Sequence, residues 1–482
     1  MLKKNQSQNR NQINMVCIED LVPKNHILRG IDAAIDFSFI YDEVESLYSE
    51  NTGRPSVDPV VLFKIVLVQY LFGIRSMRQT IKEIEVNMAY RWFCGFDMLD
   101  TIPNFTTFGK NYSRRFVDSN IFEIIFEKIL QEAITAGFVD AKAAFIDSTH
   151  VKASANNKKS TNKTVKVEVK NYQKELNEEI ASDRAAHGKK PLKDDNDDEP
   201  PTKNIKQSTT DPESGLFHKG EHKVVFAYTL HTACDLNNFV LGVNISPGNV
   251  HDSVMFDGLY KDLIAKFPEI KMVGVDSGYK IPWIMKQIFD SGRLPATPYK
   301  RPMTKKGFFR KYEYVYDEYY DCIICPNDQI LKYSTTNRDG YKEYKSNPKI
   351  CESCGYLSQC TMSKARQKTV TRHVWDEYME RAEDVRNSPN GKAVYKLRCE
   401  TIERVFADAK EKHGMRYGHF RGIAKMRMQA LLTFACMNLK KLAKWKEKNG
   451  GFTPVLTKAS IIFEYLKTRC KKRTRYWEFT SP

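Results

Sequence analysis

Two short apolar runs in this chain each end in an aspartate: AAFID (143–147) and MVGVD (272–276). Runs this short, bounded by polar residues, fit strands covered on both faces better than helices. The chain must therefore fold around a sheet with interior strands. Each acid is expected to emerge at a strand's carboxyl end, where ligands of such sheets bind. A third acid, Glu403, lies in ETIERVFADAKEKHG (400–414), which has a helical period. Two carboxylates at strand ends and one on a helix offer hard oxygen donors. They suit Mg²⁺ or Mn²⁺, and a paired-cation centre suits phosphodiester chemistry. A lone aspartate at a strand end is more often a turn cap. The three together carry the catalytic reading.

Charge points to the substrate. The chain has 482 residues and a formal net charge of +17, which favours a polyanionic partner. From Arg421 to Pro482 there are fifteen Lys and Arg against three Glu, a net of +12. The segment KTRCKKRTRYW (467–477) interleaves bases with aromatics, a pattern that tracks phosphates and stacks on bases. The bland alternative is a solvated tail. The start, MLKKNQSQNRNQ, lacks the apolar stretch of a secretory signal. PVVLFKIVLVQYLFG (59–73) is too short to span a bilayer and reads as a core helix. No membrane association is expected, and a cytoplasmic protein with reduced thiols follows.

Residues 1–138 read as an all-helical domain, with Ser76 as an N-cap and Gly137 as a C-cap. With Arg75, Arg78, Lys110, Arg114 and Arg115 available, it is either a helix-turn-helix-like DNA-binding unit or a dimerisation and packing domain. The period then changes. Strands are expected at 141–150, 222–235, 238–248 and 271–278, and a last one in LPATPYKRP (294–302). Helices are expected at 251–267 and in PWIMKQIFDSG. The turn Asp235-Leu-Asn-Asn reads as a hairpin. Residues 153–212 are a polar insertion that does not enter the core. A helix is possible at 168–186, and a loop over KDDNDDEPP. Asp252 reads as an opening helix residue favoured by the helix dipole.

Cys322-x-x-Cys325 and Cys351-x-x-Cys354 have the spacing of a structural Zn²⁺ site of the zinc-ribbon type. Cys360 or His373 is the alternative fourth ligand, and unliganded thiols are the bland reading. The surrounding region, 303–387, is polar and needs a staple if it is to fold with so little core.

The strand order, with acids after the first and fourth strands and on a later helix, is a ribonuclease H-like layout. IDSTHVKA, TDPESGLFHKGEHKVVFAYTLHTACD, SPGNVHDS, VGVDSGY and YKLRCETIERVFADAKEKHGMRYGHFRG together resemble the DDE transposases of bacterial insertion sequences. Tyr395, Arg398, Glu403 and Lys410 match that family's Tyr-x-x-Arg, Glu and Lys pattern. The chain has four residues between Arg398 and Glu403 where the closest signature has three, which leaves Glu400 as an alternative to Glu403. The resemblance implies an α/β fold: a ribonuclease H-like mixed sheet flanked by helices, formed by 139–302 and 388–446. It also implies the helical amino-terminal domain, the Cys-rich insertion and a basic tail over 447–482. Asp147, Asp276 and Glu403 would be the catalytic Mg²⁺ ligands. Lys410, His222, Lys152, Arg398, Arg416 and Arg421 would contact DNA. The activity implied is cleavage at the mobile element's terminal inverted repeats and joining to target double-stranded DNA, by a homodimer in a synaptic complex on the bacterial nucleoid. The alternatives are a catalytically retired DNA-binding or regulatory protein, and a Mg²⁺-dependent nuclease without strand transfer.

Overall fold

The structure, a computed structural model, describes residue 13 and residues 15–49, 55–166, 172–192, 202–219, 223–301 and 303–449. The basic tail beyond residue 449, KDDNDDEPP (193–201) and His222 lie outside the described residues.

The amino-terminal region is helical. Helix α1 (Pro59–Leu71) starts where Asp58 accepts from the Val60 and Val61 amides and Pro59 takes the first position. It is apolar all round because it is buried all round, with Leu62, Phe63, Ile65 and Val66 in the core. Lys64 escapes burial by reaching Asp32 at 2.8 Å. Ser76 caps the helix Met77–Val86 as expected, accepting from the Gln79 amide. Helix α2 (Ile121–Thr135) ends as Gly137 takes φ 71°, with the Phe138 amide bonded back to the Ala133 carbonyl.

The central sheet contains β1 (Ala143–Lys152), β2 (Gly215–Lys219), β3 (Lys223–Cys234), β4 (Val240–Pro247), β5 (Met272–Val275) and β6 (Leu294–Ala296). Its order is β4-β3-β1-β5-β6, and β2 pairs with the first residues of β3. β3 runs antiparallel to β1, while β5 and β6 run parallel to it. The hairpin joining β3 to β4 forms as expected. Asp235 accepts from the Asn237 and Phe239 amides, and Asn238 takes φ 64°. The last strand is shorter than the sequence suggests, covering only Leu294–Ala296. A β-carbon on Gly274 would lie 2.6 Å from the Phe145 ring, so glycine there lets β5 lie against β1 with Phe145 fully buried.

Helix α3 (Gln173–Ala186) lies within the polar insertion, flanked by a two-stranded hairpin (Ser160–Lys166 with Thr202–Ser208). The insertion stays out of the main core. It nevertheless buries Leu176 and Ile180 against Trp375, forming a small core of its own. Helices α4 (Asp252–Lys266) and α5 (Pro282–Asp290) pack beside the sheet. Helix α6 (Ile402–Lys412) packs on β1. Helix α7 (Ile423–Lys448) packs on α1, α2 and β4. A single hydrophobic core thus runs from the amino-terminal helices through α7 into the sheet. The Cys-rich region forms a separate antiparallel five-stranded meander from Val315–Asp317 to Thr369–His373. Its core is Tyr314, Ile323, Leu331, Tyr344 and Val370. The helix Asp376–Asn387 that follows packs on α5 and β6. No helix of the described residues is long and apolar enough to cross a membrane.

Candidate active site

Asp147 is not at the end of its strand, because β1 continues five residues further, to Lys152. The reason is unequal pairing. The parallel partner β5 covers β1 only as far as Ile146, opposite Val275, whereas the antiparallel partner β3 follows it to Lys152. Asp147 and Asp276 are therefore the first residues past the point where β1 and β5 part. Neighbouring strands lie about 4.8 Å apart, so the two carboxylates start from adjacent backbone. Asp147 is buried, and burial pushes its carboxyl up to about 6, against the pull of Arg398 and the Ser148 amide.

Glu403 arrives from the first turn of α6. The chain makes a short turn at Arg398–Glu400, breaks at Thr401 (φ −110°, ψ −97°) and restarts as α6. That break absorbs the extra residue between Arg398 and Glu403. The Arg398 Nη1 donates to Glu403 Oε1 at 2.7 Å, and its Nη2 donates to Asp147 Oδ2. Glu400 is exposed, and its carbonyl accepts from the Asn238 side chain, so it stands outside the cluster. Arg398 is buried, with its guanidinium turned to the two acids. Burial disfavours its charge, but Asp147, Asp276 and Glu403 outweigh that and hold its pKa above the usual value.

The three acids thus surround a position already held by a cationic group. Hard oxygen donors arranged this way fit a divalent cation by chemistry and charge. Among the described residues, no three His, Cys, Asp or Glu side chains close on one point as a finished metal cage. A further carboxylate missed by sequence reasoning, Asp252, also faces this cluster. Its neighbours Asp276 and Ser148 belong to the site, and burial raises its pKa.

Residues 16–114 match the model of a transposase domain (DUF772), and residues 324–443 match that of a transposase DDE domain. Together the two matches are consistent with a DDE transposase of an insertion sequence. No curated protein matches the chain. The second match includes Arg398, Glu403 and Lys410, and it implies a ribonuclease H-like fold for the domain. Asp147 and Asp276 lie upstream of it.

Beside the carboxylates the chain has a groove lined by Thr149, His150, Lys152, Lys410, Arg416 and Tyr417. Thr149 is two residues after Asp147 on the same strand face, and Lys410 donates from α6 to its hydroxyl. Lys152 lies over the Tyr417 ring at 5.7 Å, and His150 stacks on Phe217 at 3.5 Å. Arg416 is exposed and pairs with Glu411; Arg421 donates to the Ser154 carbonyl at 3.1 Å. Elsewhere, Arg78 lies over the Phe105 ring and Arg115 over the Tyr48 ring, so both fold onto their own domain.

The cysteine pairs regroup. Cys325, Cys351, Cys354 and Cys360 line one small apolar cavity, and Cys322 is not among them. Cys322 is buried in the strand Cys322–Ile324 near Asp317 and Asp321, while Cys325 begins the turn after that strand. Side chains three apart on an extended strand point to opposite faces. Three of the cavity thiols have hydroxyl or amide partners: the Tyr314 hydroxyl meets Cys360 at 3.2 Å, the Cys351 thiol donates to the Ser346 hydroxyl at 3.2 Å, and the Asn327 amide donates to Cys354 at 3.6 Å. His373 lies on the last strand of the meander, with Nδ1 accepting from the Trp375 amide at 3.0 Å.

Proposed function

We propose that this transposase cuts DNA at the ends of a mobile element and joins those ends to target DNA, using Asp147, Asp276 and Glu403 on a ribonuclease H-like core. The observation that carries this is the convergence of Asp147 and Glu403 on the Arg398 guanidinium, with Asp276 at the adjacent strand end. When bound, divalent cations such as Mg²⁺ would activate the attacking water or 3′-hydroxyl and stabilise the leaving oxygen. Asp147 and Asp276 would hold them from the sheet and Glu403 from α6. Arg398 balances the carboxylates before the cations arrive. Lys410 and Lys152, in the groove beside Thr149, would place the phosphates flanking the scissile bond. Joining two ends at once calls for a dimer in the synaptic complex.

The test is cleavage and strand transfer on DNA carrying the element's terminal repeats, with full-length protein and Mg²⁺. Nicked and joined products from the wild type, and none from Asp147→Asn, support the reading. Equal nicking by both proteins refutes the catalytic assignment. Nicking without joined products reduces the activity to that of a nuclease.

We further propose a structural Zn²⁺ in the meander, held by Cys325, Cys351, Cys354 and Cys360 as thiolates. Four thiols on one cavity of a module with a five-residue core support it. Metal analysis of purified protein should give one zinc per chain, retained by Cys322→Ser and lost by Cys360→Ser. Loss from Cys322→Ser and retention by Cys360→Ser would return the site to the spacing-based set.

A further inference from the structure

Asp252 is the first residue of α4, and its surroundings come from three other segments. The Ser148 hydroxyl, next to Asp147, donates to its carboxylate. His231 of β3 is 1% exposed; its Nδ1 lies 3.8 Å from Asp252 Oδ1 and its Nε2 2.9 Å from the Ser246 hydroxyl. The Tyr279 hydroxyl stands 3.5 Å from the same Nδ1. A β-carbon on Gly278, two residues after Asp276, would lie 3.6 Å from Asp252 Oδ2. The carboxylate is therefore held between the segment that follows Asp147 and the one that follows Asp276. The sequence reading of Asp252 as a dipole-favoured residue accounts for its backbone position only. It does not account for the buried imidazole that faces it or for its side chain turning toward the two catalytic strands.

The electrostatics run the same way. Asp252 and Asp276 each disfavour ionisation of Asp147, and Asp276 does the same to Asp252. Four carboxylates thus share one region with one guanidinium. That excess of negative charge is what a bound divalent cation with its hydration shell neutralises.

We infer that Asp252 is a fourth carboxylate of the cation centre, a positioning residue that binds the hydration shell of a divalent ion held by Asp147 and Asp276. The inference rests on the proposed function and adds a residue to that site. The Ser148 hydroxyl orients its carboxylate, so its contribution is to cation affinity.

The experiment is calorimetric titration of full-length protein with Mn²⁺, without DNA, for wild type, Asp252→Asn, Asp252→Glu, Asp147→Asn and the exposed α4 control Asp262→Asn. Thermal melting in metal-free buffer accompanies each. Outer partners of metal sites are typically worth about 10- to 100-fold in affinity. Asp252→Asn should therefore weaken Mn²⁺ binding about tenfold, Asp252→Glu less, and Asp262→Asn not at all. Where Asp252→Asn fails to fold, the charge-retaining Asp252→Glu carries the test through an intermediate loss. Unchanged Mn²⁺ affinity in Asp252→Asn, beside a loss in Asp147→Asn, overturns the inference while leaving the centre intact. Unchanged affinity in Asp147→Asn overturns the centre itself, and the inference with it.

Discussion

The carboxylate centre and the cysteine cavity are both candidate metal sites, and they are built in opposite ways. The first rests on Ala143, Ala144, Phe145 and Ile146, all fully buried in a core that continues into the amino-terminal helices. It also contains an internal cation, Arg398, which bonds two of its acids. The second rests on five buried residues, its hydroxyl and amide contacts are to Cys351, Cys354 and Cys360, and the one cation on its wall, Lys368, bonds the Cys360 carbonyl. A site that carries its own counter-charge on a large core stays folded without metal. A small module with thiols on one cavity would take its stability from a bound metal. In the first, then, metal would supply chemistry, and in the second it would supply fold.

The sharpest way to break that contrast is to strip metal from the whole protein. With a zinc chelator, backbone amides of 315–373 should lose hydrogen-exchange protection by about 10³-fold or more, given the size of zinc binding energies. Amides of β1 should keep theirs. Equal loss in both regions, or none in either, removes the distinction.

Asp147→Asn separates chemistry from fold within the first site. Cleavage should fall about 10³-fold, the scale of losing one key transition-state group, while the metal-free melting temperature holds or rises. A variant that is both inactive and strongly destabilised would instead make Asp147 structural.

Arg398 gives a third, smaller contrast. Arg398→Ala leaves Asp147 and Glu403 facing each other without a counter-charge. Removing one partner of a buried pair costs about 3–5 kcal/mol, to be discounted here because Glu403 is 48% exposed. Chemical denaturation should show that loss without Mg²⁺ and partial recovery with it. A loss that Mg²⁺ does not relieve would mean Arg398 acts by packing alone.

Much of this was legible before any coordinates. The apolar runs marked β1 and β5, the helical period marked α6, and Ser76 and the Asp235 turn each cap backbone close by in sequence. What stayed hidden depends on partners distant in sequence. Arg398 meets Asp147 across 251 residues, so spacing within its own motif could not show it buried. β1 outruns its expected end because β3, eighty residues later, continues to pair with it. Leu176 and Ile180 look like incidental apolar residues in a polar insertion until Trp375 covers them. Cys322 is different: it lies on the strand Cys322–Ile324 and Cys325 in the turn beyond it, so only the fold shows which of the two faces the cavity.

The smallest effect in the series is a pH dependence, and its sign distinguishes the two sites again. Burial raises the Asp147 carboxyl to about 6 from an ordinary value of 3.8. A raised carboxyl binds its proton more tightly folded than unfolded. Its contribution is fully present below the unfolded pKa and is lost as pH rises through the folded one, between about pH 4 and about pH 6. At 1.36 kcal/mol per unit the loss is on the order of 2–3 kcal/mol. In metal-free buffer the wild type should therefore lose stability relative to Asp147→Asn across that window, as read by denaturant midpoints at each pH. Divalent cations bind the ionised carboxylate, so Mn²⁺ affinity should rise over the same interval and offset the loss. The cysteine cavity predicts a different profile, since thiols that held zinc would lose their protons to the metal. Wild type and Asp147→Asn falling in parallel from pH 4 to pH 6 would show that the Asp147 proton is not what titrates there.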